Sequence, residues 1–244
     1  MRPAPLLPLA LLTALAACAP AVAPPAAAPP PAVPALPATN LYEITTPEGA
    51  LVVRLFDETP LHRDNFKRLV QQGVYDGTWF HRIIAGFVVQ GGDPNTRDST
   101  LGPVGEGGPG YTVPAEIGHY HVKGALAAAR QGDDTNPQRA SSGSQFYFVT
   151  GRIYDGAALE AARQRVAQST QNPSFAWPDS VRTLYATRGG TPQLDGQYTV
   201  FGTLVSGFDV LERLGMAETA RSRSRTGSDQ PLRRLRIAVR PVGR

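Results

Sequence analysis

Residues 80–93 read Phe80-His81-Arg82-Ile83-Ile84-Ala85-Gly86-Phe87-Val88-Val89-Gln90-Gly91-Gly92-Asp93. β-Branched and aromatic residues suit a pleated, half-buried surface, and glycine supplies the turn between two such runs. The stretch therefore predicts two short strands, 79–84 and 87–90, in tight succession. One arginine, Arg82, sits inside an otherwise apolar run. The ordinary reading of a strand arginine is a solvated surface charge, so any other meaning must come from the rest of the chain.

Upstream, alternation in Leu41–Thr46 and Leu51–Phe56, joined by Pro47-Glu48-Gly49-Ala50, predicts a β-hairpin. Thr59 as N-cap, Pro60 at the first helical position, apolar Leu61, Phe66, Leu69 and Val70, and Gly73 as a stop describe a short amphipathic helix. Downstream strand candidates are 111–114, 123–129, 145–150, 198–205 and 233–240. Short strands joined by Gly-rich turns predict an all-β-dominated fold: a closed antiparallel barrel of about eight strands, capped by two short helices. Two stretches break the rhythm and read as insertions. One is 155–188, with helical spacing through Leu159, Ala162 and Val166; the other is the Ser/Arg-rich 219–230. The flanking Tyr154 and Gly189-Gly190 are turn formers, so 155–188 is expected to be a dispensable lobe. No internal repeat or second core is legible.

The chain has 244 residues, 41% hydrophobic and 18% charged, enough for one well-packed domain and too apolar for wholesale disorder. Eleven of the 23 prolines fall within residues 1–38, which carry the single charge Arg2. The net charge of +4 is unevenly spread: the last 24 residues hold eight arginines against Asp229 alone, while the body is acidic. No recognition motif accompanies that basic end, so nucleic acid is not the expected partner.

The apolar run Leu6–Leu15 is too short to span a bilayer and suits a signal-peptide core. Leu15-Ala16-Ala17-Cys18 follows, with the only cysteine of the chain. It resembles the lipobox of bacterial lipoproteins, in which the cysteine is acylated and becomes the new N-terminus. The expected organisation is a signal peptide at 1–17, an Ala/Pro tether at 18–39 and a folded domain at 40–244. Several acyl chains on Cys18 would anchor the protein in a membrane of the bacterial cell envelope, facing the periplasm or exterior. At a polyproline rise of ~3.1 Å per residue the tether reaches roughly 60 Å.

Most catalytic sets find no candidates. Without a second cysteine or a Gly-x-Ser-x-Gly, covalent catalysis lacks a nucleophile. His119 and His121 could share a strand face, but no third metal ligand is placed near them. Gly102–Gly110 is glycine-rich yet lacks the helix start of a phosphate loop. The expectation is non-covalent chemistry with no cofactor and no metal.

The run from Phe80 to Asp93 closely resembles the signature of the cyclophilins, the peptidyl-prolyl cis/trans isomerases. Agreement continues in order through Gly107-Gly108-Pro109-Gly110-Tyr111, Lys123-Gly124-Ala125-Leu126, Ser142–Phe148 and Leu194–Gly202. The resemblance implies a cyclophilin-like barrel, and it supports a strand at Ala125–Ala129 where propensity alone favours helix. It implies that Arg82 is the catalytic donor, that Phe87, Val88, Tyr147 and Leu194 form an apolar socket for proline, and that Tyr198 stands beside it. Gln90 and the backbone around Ala129 and Arg130 would hold the peptide chain, and His81 is structural. The expected partners are proline-containing polypeptides exported to the envelope, handled by a monomer. Gln193 stands where the best-known members carry a tryptophan that supports cyclosporin binding, so weak drug binding is expected. Two alternatives stay open: a non-catalytic proline-peptide-binding chaperone on the same scaffold, and a structural envelope protein whose Arg-rich end binds an anionic surface.

Overall fold

The computed structural model describes residues 36–98, 101–224 and 226–243. The signal peptide, Cys18 and the tether up to residue 35 lie outside the described residues. The strands are β1 (Leu41–Thr46), β2 (Gly49–Leu55), β3 (Arg82–Ile84), β4 (Val88–Gly91), β5 (Thr112–Val113), β6 (Ala125–Ala128), β7 (Ser141–Ser142), β8 (Phe146–Val149), β9 (Val200–Ser206) and β10 (Ala238–Pro241). The helices are α1 (Pro60–Gln71), α2 (Gly156–Ser169), α3 (Asp179–Thr187), α4 (Phe208–Gly215) and α5 (Ala220–Arg223). Eight strands form one sheet in the order β10-β1-β2-β9-β6-β8-β4-β3, and β5 pairs with β7 apart from it. Every pairing is antiparallel.

The strand count meets expectation, but the barrel is not closed by a ladder. β3 and β10 remain edges, and only the segments leading into them meet. Ile237 N donates to Thr78 O at 2.7 Å, Gly77 N to Ile237 O at 3.0 Å and Phe80 N to Leu235 O at 3.1 Å. The reason is local: the free edge of β3 is occupied by the 219–230 loop, whose Asp229 O accepts from Ile83 N at 2.8 Å. The result is an eight-stranded half-barrel.

Successive side chains on a strand point to opposite faces, and here both faces of the central strands are covered. Val89, Leu126, Ala128, Phe146 and Phe148 point into the main core with Tyr42, Phe66 and Leu211. Val88, Ala125, Ala127, Tyr147 and Val149 point the other way, into a smaller apolar layer with Val200. This two-sided burial is why Ala125–Ala128 forms a strand despite its composition. It is hydrogen-bonded between β8 and β9, and tertiary pairing overrides propensity.

α1 buries Phe66, Leu69 and Val70 as its spacing predicts, but Leu61 is exposed. Thr59 stands at the N-cap position as expected, but its side chain makes no capping bond, and its hydroxyl is buried with no partner among the described residues. The free N–H groups of the first turn are met instead by Glu116, whose carboxylate accepts from Leu61 N and His62 N, both at 3.0 Å. Its Oε2 also lies 2.7 Å from His62 Nδ1.

The 155–188 segment is helical as read, forming α2 and α3. Tyr154, Leu159, Ala162, Val166, Trp177, Val181 and Tyr185 make an apolar cluster of their own. The C-terminal arginines are largely occupied within the fold: Arg221 on Asp229, Arg223 on Glu218, Arg233 on Glu48 and Arg240 on Asp76. Arg236 donates to Gly77 O at 3.1 Å. Charge in excess by count is thus mostly paired in space, which weakens the case for an anionic-surface patch.

Candidate active site

The register of the ladders lines up the site. Arg82 on β3 is paired with Gln90 on β4, Gln90 with Tyr147 on β8, and Tyr147 with Ala127 on β6. Residues opposite one another across antiparallel strands share a face, so these four stand in one row on the outer face. Val88, two residues before Gln90, joins them. A cleft of ≈ 660 Å³ opens over the row, lined by Arg82, Phe87, Val88, Gln90, Ala129, Arg130, Tyr147, Leu194 and Tyr198. All nine residues singled out in the sequence therefore converge on one cavity.

The cleft divides by chemistry. Val88 and Tyr147 are buried at its floor, with the partly buried Phe87, Leu194 and Tyr198 packed against them. These five side chains make the apolar part of the cleft. Leu194 ends a 3₁₀ turn, Pro192–Leu194, begun by a proline whose fixed φ suits it. Arg130 fixes Tyr198 from the other side. Its guanidinium carbon lies 4.4 Å from the ring centroid, Nε donates to Gln197 O at 2.8 Å, and Nη1 is 2.6 Å from Asp133.

Polar residues stand beside the socket. Arg82 Nη1 donates to Gln90 Oε1 at 3.2 Å, and Gln90 Nε2 donates to Gln145 Oε1 at 3.1 Å. Gln145 Nε2 in turn donates to Gly105 O and Gly107 O, at 2.9 and 2.8 Å. The guanidinium is thus the outer end of a chain of amides anchored in backbone, a cation held in place next to an apolar hollow. Ala129 lines the cleft, but its own backbone is engaged: its N donates to Gln145 O and its O accepts from Ser142 N. A second cleft of ≈ 850 Å³ continues past Gln90, Gly105, Ala129 and Arg130 to Gln131, Thr135 and Ser142. The two clefts share Gln90, Gly105, Ala129 and Arg130 and so form one continuous groove.

Tyr147 is held from beneath. Its hydroxyl lies 3.1 Å from His121 Nε2, His121 Nδ1 lies 2.8 Å from Asp195 Oδ1, and the imidazole is fully buried. Burial, with Tyr198 and Asp195 adding to it, pushes the Tyr147 hydroxyl well above its ordinary pKa. It stays neutral and can donate. Asp195 Oδ2 accepts from Trp177 Nε1 at 2.7 Å and from Tyr185 Oη at 2.6 Å. Both donors come from 155–188, the segment expected to be dispensable, and they tie it to the carboxylate beneath the cleft. Gln193 is engaged away from the cleft, accepting from Tyr154 Oη at 3.0 Å.

His81 is buried, both ring nitrogens lack a partner among the described residues, and burial lowers its pKa. It also lines the cleft beside Arg82. His119 packs against Phe56, with ring centroids 4.3 Å apart and planes tilted by 36°. Sequence reasoning weighed His121 only as a metal ligand and gave no site role to Gln145, Asp195, Arg221 or Asp229. Gln145 and Asp195 lie inside quoted motifs, two residues before Tyr147 and next to Leu194, and that placement is the available signal.

The family model described as cyclophilin type peptidyl-prolyl cis-trans isomerase/CLD matches residues 41–239. A Staphylococcus haemolyticus protein that carries a peptidyl-prolyl cis-trans isomerase name is 35% identical over 170 residues, 68% of this chain and 76% of that one. A Streptococcus pyogenes protein, named as a bifunctional phosphatase/peptidyl-prolyl cis-trans isomerase, is 36% identical over 181 residues. That match takes in 72% of this chain but only 34% of the streptococcal protein. Among solved structures, a Cryptosporidium parvum cyclophilin-type peptidyl-prolyl cis-trans isomerase superposes with a TM-score of 0.58 at 25% identity, over 84% of this chain and 98% of that one. The same protein, crystallised in the presence of the dipeptide Ala-Pro, gives a TM-score of 0.57.

Proposed function

Because this chain belongs to the cyclophilin-type peptidyl-prolyl cis-trans isomerases, we propose that it accelerates X-Pro bond rotation in exported proteins, with Arg82 as the hydrogen-bond donor. The barrier is about 18–20 kcal/mol because amide resonance is lost as the bond twists. Nothing needs to be attacked or protonated, and catalysis requires only that the twisted state be bound better than the planar one. In that state the proline nitrogen is pyramidal and carries a lone pair. A guanidinium fixed beside it gains a hydrogen bond that the planar amide cannot accept. A preorganised donor of this kind is typically worth about 10²–10³ in rate.

The observation that carries this reading is the placement of Arg82 at the lip of the Phe87, Val88, Tyr147 and Leu194 socket, with Nη1 tied to Gln90. The socket seats the ring, and Gln90 with the backbone near Arg130 keeps the peptide extended. Catalysed cis/trans exchange of an Ala-Pro tetrapeptide tests it. Faster exchange with the protein supports the isomerase, while binding without exchange supports a proline-peptide chaperone.

Acylation of Cys18, followed by the Ala/Pro tether, would place this domain at a membrane of the bacterial envelope. Its support is the Leu15-Ala16-Ala17-Cys18 sequence. Cys18→Ala should release the protein from the detergent phase or leave its precursor unprocessed. A mutant that fractionates like wild type would contradict the anchor.

A further inference from the structure

One loop supplies a wall of the cleft that the sequence did not foretell: Arg221, Ser228, Asp229 and Gln230 line the cavity together with Arg82. The loop is held by its own bonds. Thr219 and Ser222 cap α5 reciprocally, Arg221 N donates to Ser228 O at 2.8 Å, and Ala220 N donates to Gln230 O at 3.1 Å. Asp229 sits between two cations. Its Oδ2 is 3.7 Å from Arg82 Nε, and its Oδ1 accepts from Arg221 Nε. Its backbone oxygen is bonded to Ile83 N, the residue after Arg82, at 2.8 Å. The carboxylate is also the best buried of the three charges, 19% exposed against 44% for Arg82 and 57% for Arg221.

Two groups act on the guanidinium: Gln90 accepts a hydrogen bond from Nη1 at 3.2 Å, and Asp229 attracts Nε across an ion pair of 3.7 Å, longer than a hydrogen bond. Nε faces Asp229, Nη1 donates to Gln90, and Nη2 is the nitrogen left without a partner among the described residues. Without the carboxylate, two like charges would share one rim and the Arg82 fork would lose one of its two side-chain anchors. Arginine acts through the geometry of its fork, so orientation matters as much as charge.

We propose that Asp229 is a positioning residue for Arg82, a carboxylate brought by the 219–230 loop that sets the orientation of the donor fork. The proposal rests on the role of Arg82 given above. Its proposed action is through the arginine.

The test uses the full chain with an Ala-Pro tetrapeptide, reading peptide affinity and exchange rate by NMR in one sample. The proteins are wild type, Arg82→Ala, Asp229→Asn, Asp229→Glu and the double variant Arg82→Ala with Asp229→Asn. A misplaced catalytic group commonly loses one to two orders of magnitude. Asp229→Asn is therefore expected to slow exchange about ten-fold while affinity and melting temperature hold, and Asp229→Glu to recover part of the loss. In the Arg82→Ala background Asp229→Asn should change nothing further, the mark of action through that residue. If the asparagine variant does not fold, Asp229→Ser repeats the test, since it also sheds the charge and keeps the backbone bond. Wild-type exchange in Asp229→Asn beside slow Arg82→Ala overturns the positioning role and leaves the arginine standing. An equal loss in both backgrounds overturns it as well, and wild-type exchange in Arg82→Ala overturns both readings.

Discussion

Trp177 Nε1 donates a 2.7 Å hydrogen bond to Asp195 Oδ2, joining a side chain of the 155–188 segment to a carboxylate that is 1% exposed beneath the cleft. Tyr185 Oη shares that oxygen, while His121 N and Nδ1 both meet Oδ1 at 2.8 Å. A carboxyl group offers about four acceptor sites, and all four are met here. A buried polar group is tolerable only when so satisfied. The segment that interrupts the barrel pattern therefore completes a polar network within it.

Replacing 155–188 by a short loop should accordingly yield insoluble or poorly folded protein, because Asp195 would lose two donors. Trp177→Phe keeps most of the apolar volume and removes one, so it should cost about 1–3 kcal/mol in urea denaturation. Arg182→Ala, which breaks an exposed pair with Asp179, should stay within about 0.5 kcal/mol. A soluble, active loop-replaced protein would show that the network is dispensable.

Tyr147 presents its ring to the cleft and its hydroxyl to His121. Tyr147→Phe should therefore leave turnover of a small peptide nearly unchanged and lower stability by about 1 kcal/mol, the usual worth of one buried hydrogen bond. A large fall in turnover without loss of stability would mean that the hydroxyl reaches substrate.

The fold was readable where local chemistry and tertiary pairing agree. The Leu41–Leu55 hairpin and the Phe80–Asp93 pair carry β-branched residues around glycine turns, and their positions held. Closure of the sheet was not readable, because it depends on what covers the edge of β3, and that covering comes from residue 229. The partner of the first helical turn was not readable for the same reason: Glu116 serves a helix beginning at Pro60. The socket residues were legible because their motifs keep order along the chain. Trp177 and Tyr185 were not, since a helical aromatic reads the same whether it packs or donates to a carboxylate.

Two buried histidines set a pH dependence. Burial holds His62 and His81 below their ordinary value of 6.5. The unfolded chain takes up protons below that value while the folded chain resists. Stability from these groups is thus complete above pH 6.5 and is lost as pH falls through the depressed folded values. The aspartates held low by arginine, such as Asp64 and Asp76, lose their share only in stronger acid. Melting temperature should fall from about pH 7 to pH 5.5, and His81→Phe should flatten the slope. A flat wild-type profile across that window would contradict the assignment.

Cyclosporin should bind weakly. Gln193 is turned to Tyr154 and offers the cleft no indole; loss of an aromatic anchor commonly costs about 2 kcal/mol or more. Gln193→Trp should tighten binding, measured by calorimetry. Submicromolar inhibition of the wild-type protein would refute this.

The central claim is that Arg82 stabilises the twisted bond, and catalysed-exchange NMR with an Ala-Pro peptide tests it most directly. Arg82→Ala should lower kcat/KM by about 10²–10³ while the planar peptide still binds, because the lost hydrogen bond exists mainly in the transition state. Arg82→Lys should restore only part of the rate, since an ammonium lacks the planar fork. Phe87→Ala, which empties the socket, should weaken binding as well as turnover. Near-wild-type exchange in a folded Arg82→Ala protein would contradict the account.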